Sequence, residues 1–304
     1  MSTIAVVAGA ADIGALRSGL PGHRLVATAD LEGIDASLLP TVAAVIVRSG
    51  IRIQTADALR MPSLRAVLRA GSGTDNIDVD ALVSRGITIR RNPHAGAQAV
   101  GEWVLTAALC LARRIPLGHN GIVNGQHLKA ECMGADIRQL SAAVWGAGPV
   151  GKHAFAALQP FTSQIEYVSW PSLANGLPNR PPGELMRDAD IHVIAMPLRQ
   201  STRGLIGAAF LSQVQARRPL LICAGRLETL ALPECLDALA SGDIGGLALD
   251  AIDSSHAFSA PQLPAATNLL LSPHIGAQRT DVRQALDQWI TATIRETLGH
   301  GDQA

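Results

Sequence analysis

The sequence predicts an α/β protein built from two doubly wound parallel β-sheets, each in a domain of its own. Three observations predict this fold. Short β-rich runs alternate with helical stretches along most of the 304 residues, a pattern typical of parallel strands joined by crossover helices. A long apolar helical segment divides the strands into two series. A glycine-rich turn opens the second series.

The first series contains five candidate strands, all before residue 92. Each is a short run rich in Val, Ile, Leu or Ala, and they read TIAVVAG, HRLVATA, AAVIVRS, LRAVLRA and ITIRR. The helical segment that follows, over residues 97–115, is apolar on nearly all sides. Such a helix is expected to be buried or to lie at an interface.

The second series contains six candidate strands, which read SAAVWGAG, QIEYVSW, IHVIAMP, RPLLICAG, GGLALDA and NLLLSPH. Six strands are enough for one complete dinucleotide-binding sheet. After Pro273 the sequence predicts a single helix, over roughly residues 279–298, with no strand of its own. We expect this helix to pack back on the first domain.

The glycine-rich turn places Gly146, Gly148 and Gly151 between a buried strand and an alanine-rich helix. In a dinucleotide site, the first glycine permits the tight turn and the second lets a pyrophosphate approach the backbone. The third allows the helix to pack closely on the strand. The helix start would then offer free N–H groups to the phosphates. The alternative is that the glycines only serve the turn.

Composition excludes several classes of protein. The 25 basic and 25 acidic residues cancel, so no net charge attracts nucleic acid or an anionic membrane. No run of about 18 apolar residues predicts a membrane helix, and the start, MSTIAVVAGA, does not read as a secretion signal. The four cysteines form no C-x-x-C pair, which indicates free buried thiols in a reducing compartment. We therefore expect a cytoplasmic protein with no bound metal.

Seven segments taken together give the chain a family resemblance. In order, they read RAGSGTDNID, PHAGAQAVGEW, GAGPVG, DADIHVIAMPLRQSTRGLIG, LLICAGRLETL, SGDIGGLALD and LLSPHIGAQ. Their order and spacing resemble the D-isomer-specific 2-hydroxyacid dehydrogenase family, which includes phosphoglycerate dehydrogenases and hydroxypyruvate reductases. The resemblance implies a flavodoxin-like substrate domain, residues 1–94 and 277–304, into which a Rossmann NAD(P)-binding domain, residues 95–276, is inserted. It also implies a homodimer with the long helix in the contact.

The resemblance assigns Arg226 and His274 to the chemistry. A hydride transfer between a nicotinamide and C2 of a 2-hydroxy acid needs a group that exchanges the hydroxyl proton, and a cation that holds the carboxylate. Histidine titrates near neutrality, and arginine binds carboxylate oxygens with a planar, permanently charged fork. Outside these motifs, an ordinary strand-end histidine and a solvated arginine would be the better interpretations.

The chain departs from the family where a glutamate usually hydrogen-bonds the catalytic histidine. The corresponding residue is Ser255, within DAIDSSHAF. Asp253 lies two residues earlier and is a candidate replacement, with a solvated loop carboxylate as the alternative. Without a carboxylate partner, the histidine would still be about one quarter protonated at pH 7. The sequence leaves both readings of Asp253 open.

The cofactor site shows a second departure. The resemblance assigns cofactor contacts to the glycine turn and to Pro149, Val150, Pro197, Ala224 and Asp250. Where an NAD-preferring strand usually ends in an acid that binds the ribose 2′-OH, this chain has Ser169. The absence of an acid favours NADP weakly over NAD. No arginine follows directly, and Arg180 and Arg199 are candidates for a 2′-phosphate contact, with surface charges as the alternative.

The substrate loops are predicted in the first domain. Ser72 and Gly73 offer backbone N–H groups for a carboxylate, and Arg48 with Ser49 resembles an Arg-Ser pair of phosphoglycerate dehydrogenases. These residues indicate a small 2-oxo or 2-hydroxy acid without identifying it. The competing hypothesis is a weakly catalytic or non-catalytic dinucleotide-binding sensor, because two usual positions have changed. Retention of both Arg226 and His274 favours the enzyme.

Overall fold

The computed structural model describes residues 1–168, 177, 179–250, 252 and 267–299. The chain divides into two compact units. Unit 1 comprises Met1–Gly96 and Gln278–Ala304, and unit 2 comprises Ala97–Ala277. Each unit is built around its own parallel sheet.

Unit 1 contains a five-stranded sheet, and all five predicted strands are confirmed. The strands are β1 (Thr3–Val7), β2 (Arg24–Thr28), β3 (Val42–Val47), β4 (Ala66–Arg69) and β5 (Thr88–Arg91). Every described pairing is parallel, and the order β2-β1-β3-β4-β5 is the flavodoxin-like one. Every residue of β1 and β3 is buried, as expected for parallel strands covered on both faces.

The first helices of unit 1 are α1 (Ile13–Gly19), α2 (Thr55–Arg60) and α3 (Val79–Val83). Side-chain carboxylates cap two of them. Asp12 accepts from the backbone N–H groups of Gly14 and Ala15 at the start of α1. Asp78 accepts from the N–H of Ala81 at the start of α3. Both caps satisfy donors that have no partner within the helix.

Unit 2 contains a seven-stranded parallel sheet, one strand more than the sequence predicted. The strands are β6 (Ser141–Trp145), β7 (Gln164–Val168), β8 (Asn179–Arg180), β9 (Ile191–Ile194), β10 (Leu220–Cys223), β11 (Gly246–Leu249) and β12 (Leu269–Leu271). Their order is β12-β11-β10-β9-β6-β7-β8. The unpredicted strand is β8, a two-residue edge strand paired with the end of β7. Its two residues are polar, so no hydrophobic pattern marks it in the sequence, and it is recognised as a strand by its backbone pairing with β7.

The helices of unit 2 are α4 (Ala97–Ala112), α5 (Ile115–Val123), α6 (Pro149–Leu158), α7 (Pro182–Asp188), α8 (Ala208–Val214) and α9 (Leu232–Ser241). Helix α4 ends three residues before the predicted boundary, because Arg114 adopts a left-handed backbone conformation with φ of 53°. Helix α4 is not apolar on all sides, since Gln98, Glu102 and Thr106 are exposed. Its buried face packs against α6, where a Cβ on Gly101 would lie 2.8 Å from the backbone of His153.

The final helix, α10 (Thr280–Leu298), belongs to unit 1, as predicted. Ile290 and Ile294 are fully buried in the core of that unit. The carboxylate of Asp287 accepts a hydrogen bond from the backbone N–H of Asp12, at 3.0 Å. Burial raises the pKa of Asp287. The helix therefore closes the core of unit 1 from the far end of the chain.

All four cysteines are among the described residues, and all four are free thiols. Cys223 and Cys235 are buried, whereas Cys110 and Cys132 are only half-buried. Burial raises the pKa of each buried thiol to about 12. Among the described residues, no helix is both long and apolar enough to cross a membrane.

Candidate functional site

Most of the predicted cofactor and catalytic residues of unit 2 follow the carboxyl ends of its strands. Because the strands are parallel, these ends share one edge of the sheet, which is where open α/β sheets bind ligands. The glycine turn follows β6, where the strand order reverses. The residues that follow the other strands are Pro197 after β9, Ala224 and Arg226 after β10, Asp250 after β11, and His274 after β12.

Two of the three glycines are required by packing. Gly146 has a φ of +106°, a conformation that side chains rarely adopt, and a Cβ there would lie 2.8 Å from the carbonyl oxygen of Ala195. A Cβ on Gly151 would lie only 1.8 Å from the carbonyl oxygen of Gly146. The first helical turn of α6 therefore rests directly on the turn that precedes it.

Gly148 differs, because an added Cβ would meet no described atom within 4 Å. It is the N-cap of α6 and carries no capping side chain, and Pro149 begins the helix. The N–H groups of Val150 and Gly151 lie in the first turn, where a helix leaves its donors unpaired internally. An open glycine followed by a helix N-terminus fits an anionic group such as a pyrophosphate.

Arg226 lies in a short connection after β10 that is fixed by backbone contacts. Its carbonyl oxygen accepts hydrogen bonds from the N–H of Thr229 at 3.0 Å and from the hydroxyl of Thr229 at 2.6 Å. A Cβ on Gly225 would lie 2.8 Å from the carbonyl oxygen of Met196. The half-buried arginine is thus held from both sides by closely packed backbone.

His274 lies on a turn organised around Asp250. Asp250 is buried, with 3% of its surface exposed. Its Oδ1 accepts hydrogen bonds from the Ser272 hydroxyl at 2.6 Å and from the N–H of Ile275 at 2.8 Å. Its Oδ2 accepts from the N–H of Gly276 at 2.8 Å, and its carbonyl oxygen accepts from the N–H of His274 at 2.5 Å. His274 itself is half-buried and has a φ of 57°.

Three predicted site residues, Ser169, Asp253 and Ser255, lie outside the described residues. Arg180, a candidate for a 2′-phosphate contact, is engaged elsewhere. Its Nε lies 2.7 Å from Glu166 and its Nη1 lies 2.9 Å from Asp188.

The sequence did not identify a buried aromatic cluster beside the glycine turn. Trp145, the residue before Gly146, donates its indole N–H to Nδ1 of His192 at 3.2 Å, and both pack against Phe210. His192 is completely buried, and its Nε2 has no hydrogen-bond partner among the described residues. Burial lowers the pKa of His192 to about 3, and the nearby Asp190 opposes this only in part. His192 is therefore neutral at physiological pH.

In unit 1, the predicted substrate residues lie on two loops that are tied down by residues the sequence analysis missed. Arg48 donates from Nε to the carbonyl oxygen of Ala8 at 2.7 Å. The amide of Asn76 donates to the carbonyl oxygens of Arg48, at 3.3 Å, and Ile51. Arg91 donates to the carbonyl oxygen of Ser72 at 2.8 Å.

Ser49 and Gly73 lie on the same two loops, and both are half-buried. Only their positions in the sequence could have pointed to Asn76 and Arg91, the residues that hold these loops. Asn76 is part of the quoted RAGSGTDNID segment, and Arg91 ends the fifth predicted strand.

Comparisons with known proteins identify the family of this chain. The family model described as D-isomer specific 2-hydroxyacid dehydrogenase, NAD binding domain, matches residues 105–276. D-3-phosphoglycerate dehydrogenase of Synechocystis sp. is 25% identical over 275 residues, 86% of this chain and 48% of that protein. The Rattus norvegicus enzyme is 29% identical over 241 residues, 73% of this chain and 44% of that protein. The chain thus spans about half the length of these curated relatives.

Solved structures share the fold. A glyoxylate reductase from Paecilomyes thermophila superposes with a TM-score of 0.82 at 20% identity, covering 97% of this chain and 94% of that one. D-lactate dehydrogenase from Aquifex aeolicus, complexed with NAD and lactic acid, gives 0.83 at 16% identity, with coverages of 98% and 97%. The matching model is one for NAD binding, so the comparisons do not support the lean towards NADP. The chain belongs to the D-isomer specific 2-hydroxyacid dehydrogenase family.

Proposed function

We propose that this protein transfers a hydride between a nicotinamide dinucleotide and C2 of a small 2-hydroxy or 2-oxo acid. One observation carries the proposal. The glycine turn, Arg226 and His274 all follow strands of a single parallel sheet at its carboxyl edge. Each of these features has a distinct part in the reaction, and unit 2 supplies all of them.

Unit 2 is proposed as the cofactor domain. The open backbone at Gly148 and the first turn of α6 would hold the pyrophosphate, with Pro149 and Val150 beside it. Pro197 and Ala224, at the ends of neighbouring strands, remain predicted cofactor contacts. When bound, the nicotinamide supplies or accepts the hydride.

Arg226 and His274 are proposed as the groups that act on the substrate. The Arg226 guanidinium binds the carboxylate and polarises the C2 oxygen in the 2-oxo acid. In reduction, protonated His274 gives its proton to that oxygen as the hydride arrives at C2. In oxidation, neutral His274 removes the hydroxyl proton as the hydride leaves. Asp253 and Ser255 remain candidates for the partner of this histidine.

Unit 1 is proposed as the substrate domain, with Arg48, Ser49, Ser72 and Gly73 as substrate contacts. The bonds that fix the 48–51 and 71–73 loops support this proposal, because a pre-organised loop loses less entropy on binding. We further propose a homodimer that uses α4. In support, α5, which follows α4, exposes the apolar side chains of Ile115, Ile122 and Val123.

The experiment is a panel of small 2-oxo acids, each mixed with the protein and either NADH or NADPH, with loss of nicotinamide absorbance as the readout. We expect turnover of at least one acid with NADH. The parallel NADPH series decides the cofactor preference, which depends in part on Ser169. Dinucleotide binding without turnover of any acid would instead favour the second candidate, a regulatory sensor on the same fold.

A further inference from the structure

His274 has an unusual backbone conformation for its residue type. Its φ of 57° lies in the left-handed region, which only two other described non-glycine residues, Arg114 and Arg218, adopt. This conformation crowds the Cβ atom against the backbone and costs free energy. Such strain persists only where surrounding contacts impose it, and it is frequent at functional sites.

Hydrogen bonds from both sides of His274 converge on Asp250. Four hydrogen bonds join this one residue to the segment 272–276, three at its carboxylate and one at its carbonyl oxygen. The carboxylate bonds reach Ser272 before the histidine, and Ile275 and Gly276 after it. A charged acceptor makes short, strong hydrogen bonds with backbone N–H groups, particularly where water is excluded.

We propose that Asp250 is a positioning residue that fixes the backbone of His274 and so aims its imidazole at the substrate. This inference rests on the proposed function. Sequence reasoning assigned Asp250 to cofactor contact, but its carboxylate already accepts three hydrogen bonds from the turn. A carboxylate has about four acceptor positions, so the turn occupies most of its capacity.

Asp250→Asn is the test variant. The amide keeps the size of the side chain, but one of its two oxygens becomes an NH₂ group that cannot accept from the turn. We expect kcat to fall at least tenfold, while the Kd for NADH changes less than threefold. We also expect a downward shift of the pKa of His274, because the nearby negative charge that favours its protonated form is removed.

Asp190→Asn is the matched control. Asp190 is also a carboxylate that ties strand connections of the same sheet, but at the opposite, amino-terminal edge. Its Oδ2 accepts from the N–H and the hydroxyl of Ser141, both at 2.9 Å. This variant should lower the Tm without moving kcat or the pKa of His274.

The pKa of His274 is read by NMR titration of the histidine ring resonances, assigned by their loss in His274→Gln. This arm does not require turnover. If the unmodified protein turned over no acid, the proposed function would be overturned. The titration would still test the positioning role of Asp250, because it does not depend on activity. If Asp250→Asn only lowered the Tm, as Asp190→Asn does, the positioning role would be refuted. A tenfold rise of the NADH Kd with unchanged kcat would refute it in favour of cofactor contact.

Gly276→Ala approaches the same contact from the other side. An added Cβ would lie 2.7 Å from Oδ2 of Asp250, so the carboxylate and the turn must separate. If Asp250 positions the histidine, this variant should reproduce the loss of kcat and the shift in the titration of His274. Ser272→Ala removes one of the three donors and should give a smaller effect in the same direction. Unchanged kcat in both variants would contradict the proposal.

Discussion

His192 and His274 belong to the same sheet, but their surroundings give them opposite chemical properties. His192 lies within β9, completely buried between Trp145 and Phe210, and burial lowers its pKa to about 3. His274 lies beyond β12 at the carboxyl edge, half-buried on a strained turn. The first cannot exchange protons near neutrality, whereas the second is placed where a substrate can reach the edge of the sheet. Position in the sheet, and not residue type, separates a packing histidine from a candidate acid–base group.

Two residues of the same type also differ in their surroundings within the glycine turn. Gly151 is required by packing, since its Cβ would overlap the carbonyl oxygen of Gly146, whereas Gly148 faces open space. Both belong to one six-residue segment, GAGPVG. Packing among the described residues therefore requires Gly151 to be a glycine and places no such requirement on Gly148.

The largest expected effect separates the two histidines by activity. His274→Gln should lower kcat by about 10² to 10⁴, the usual contribution of a positioned acid–base group. His192→Gln should leave kcat of the folded protein unchanged, because its side chain contributes only to the core. Steady-state kinetics with the best 2-oxo acid measure both. A loss of equal size in both variants would remove the distinction between these histidines.

The next effect is the acid sensitivity of folding. Because the folded pKa of His192 is below its ordinary value of 6.5, the unfolded chain binds a proton that the folded core excludes. The stabilisation is fully present above pH 6.5 and is lost as pH falls towards about 3. At pH 5 the loss is about 2 kcal/mol, at 1.36 kcal/mol per pH unit.

Urea unfolding at pH 7.5 and pH 5 measures this loss. His192→Gln retains an acceptor for the Trp145 indole but does not titrate, so it should lose about 2 kcal/mol less than the unmodified protein between these pH values. The same pH dependence in both proteins would show that other groups account for the acid sensitivity.

The last comparison concerns the two glycines. Gly151→Ala should lower the free energy of unfolding by about 1 to 3 kcal/mol, the usual cost of overpacking. In Gly148→Val the added Cβ meets no described atom within 4 Å, so this variant should cost only about 1 kcal/mol, through the poorer N-cap, but it should weaken dinucleotide binding about tenfold, or about 1.4 kcal/mol. Urea unfolding and calorimetry measure the two quantities. Unchanged dinucleotide affinity in folded Gly148→Val would show that the pyrophosphate does not approach this turn.

The sequence predicted eleven of the twelve described strands: all five of unit 1 and six of the seven of unit 2, including β12 at the far edge. The interior strands among them, such as β3 and β10, are continuous apolar runs, because both faces of a parallel sheet are covered. The strand β8 escaped prediction because two polar residues at an edge have no such pattern. The end of α4 at Ala112 was not predicted, because residue propensities do not indicate that Arg114 adopts a left-handed backbone conformation.

By itself, the sequence determined the fold class, the order of strands and helices, the glycine turn and the identity of Arg226 and His274 as candidates. The fold class, the element order and the glycine turn depend on local pattern, whereas the two candidates depend on the resemblance of short segments to a known family. A linear sequence contains both kinds of information in full. Only the tertiary structure decided that Asp250 holds the histidine turn, that Asn76 fixes the 48–51 loop and that His192 is buried and neutral. Each of these depends on residues 20 or more positions apart meeting in space, and hydrogen bonding and desolvation act through such distances in the fold, not along the chain.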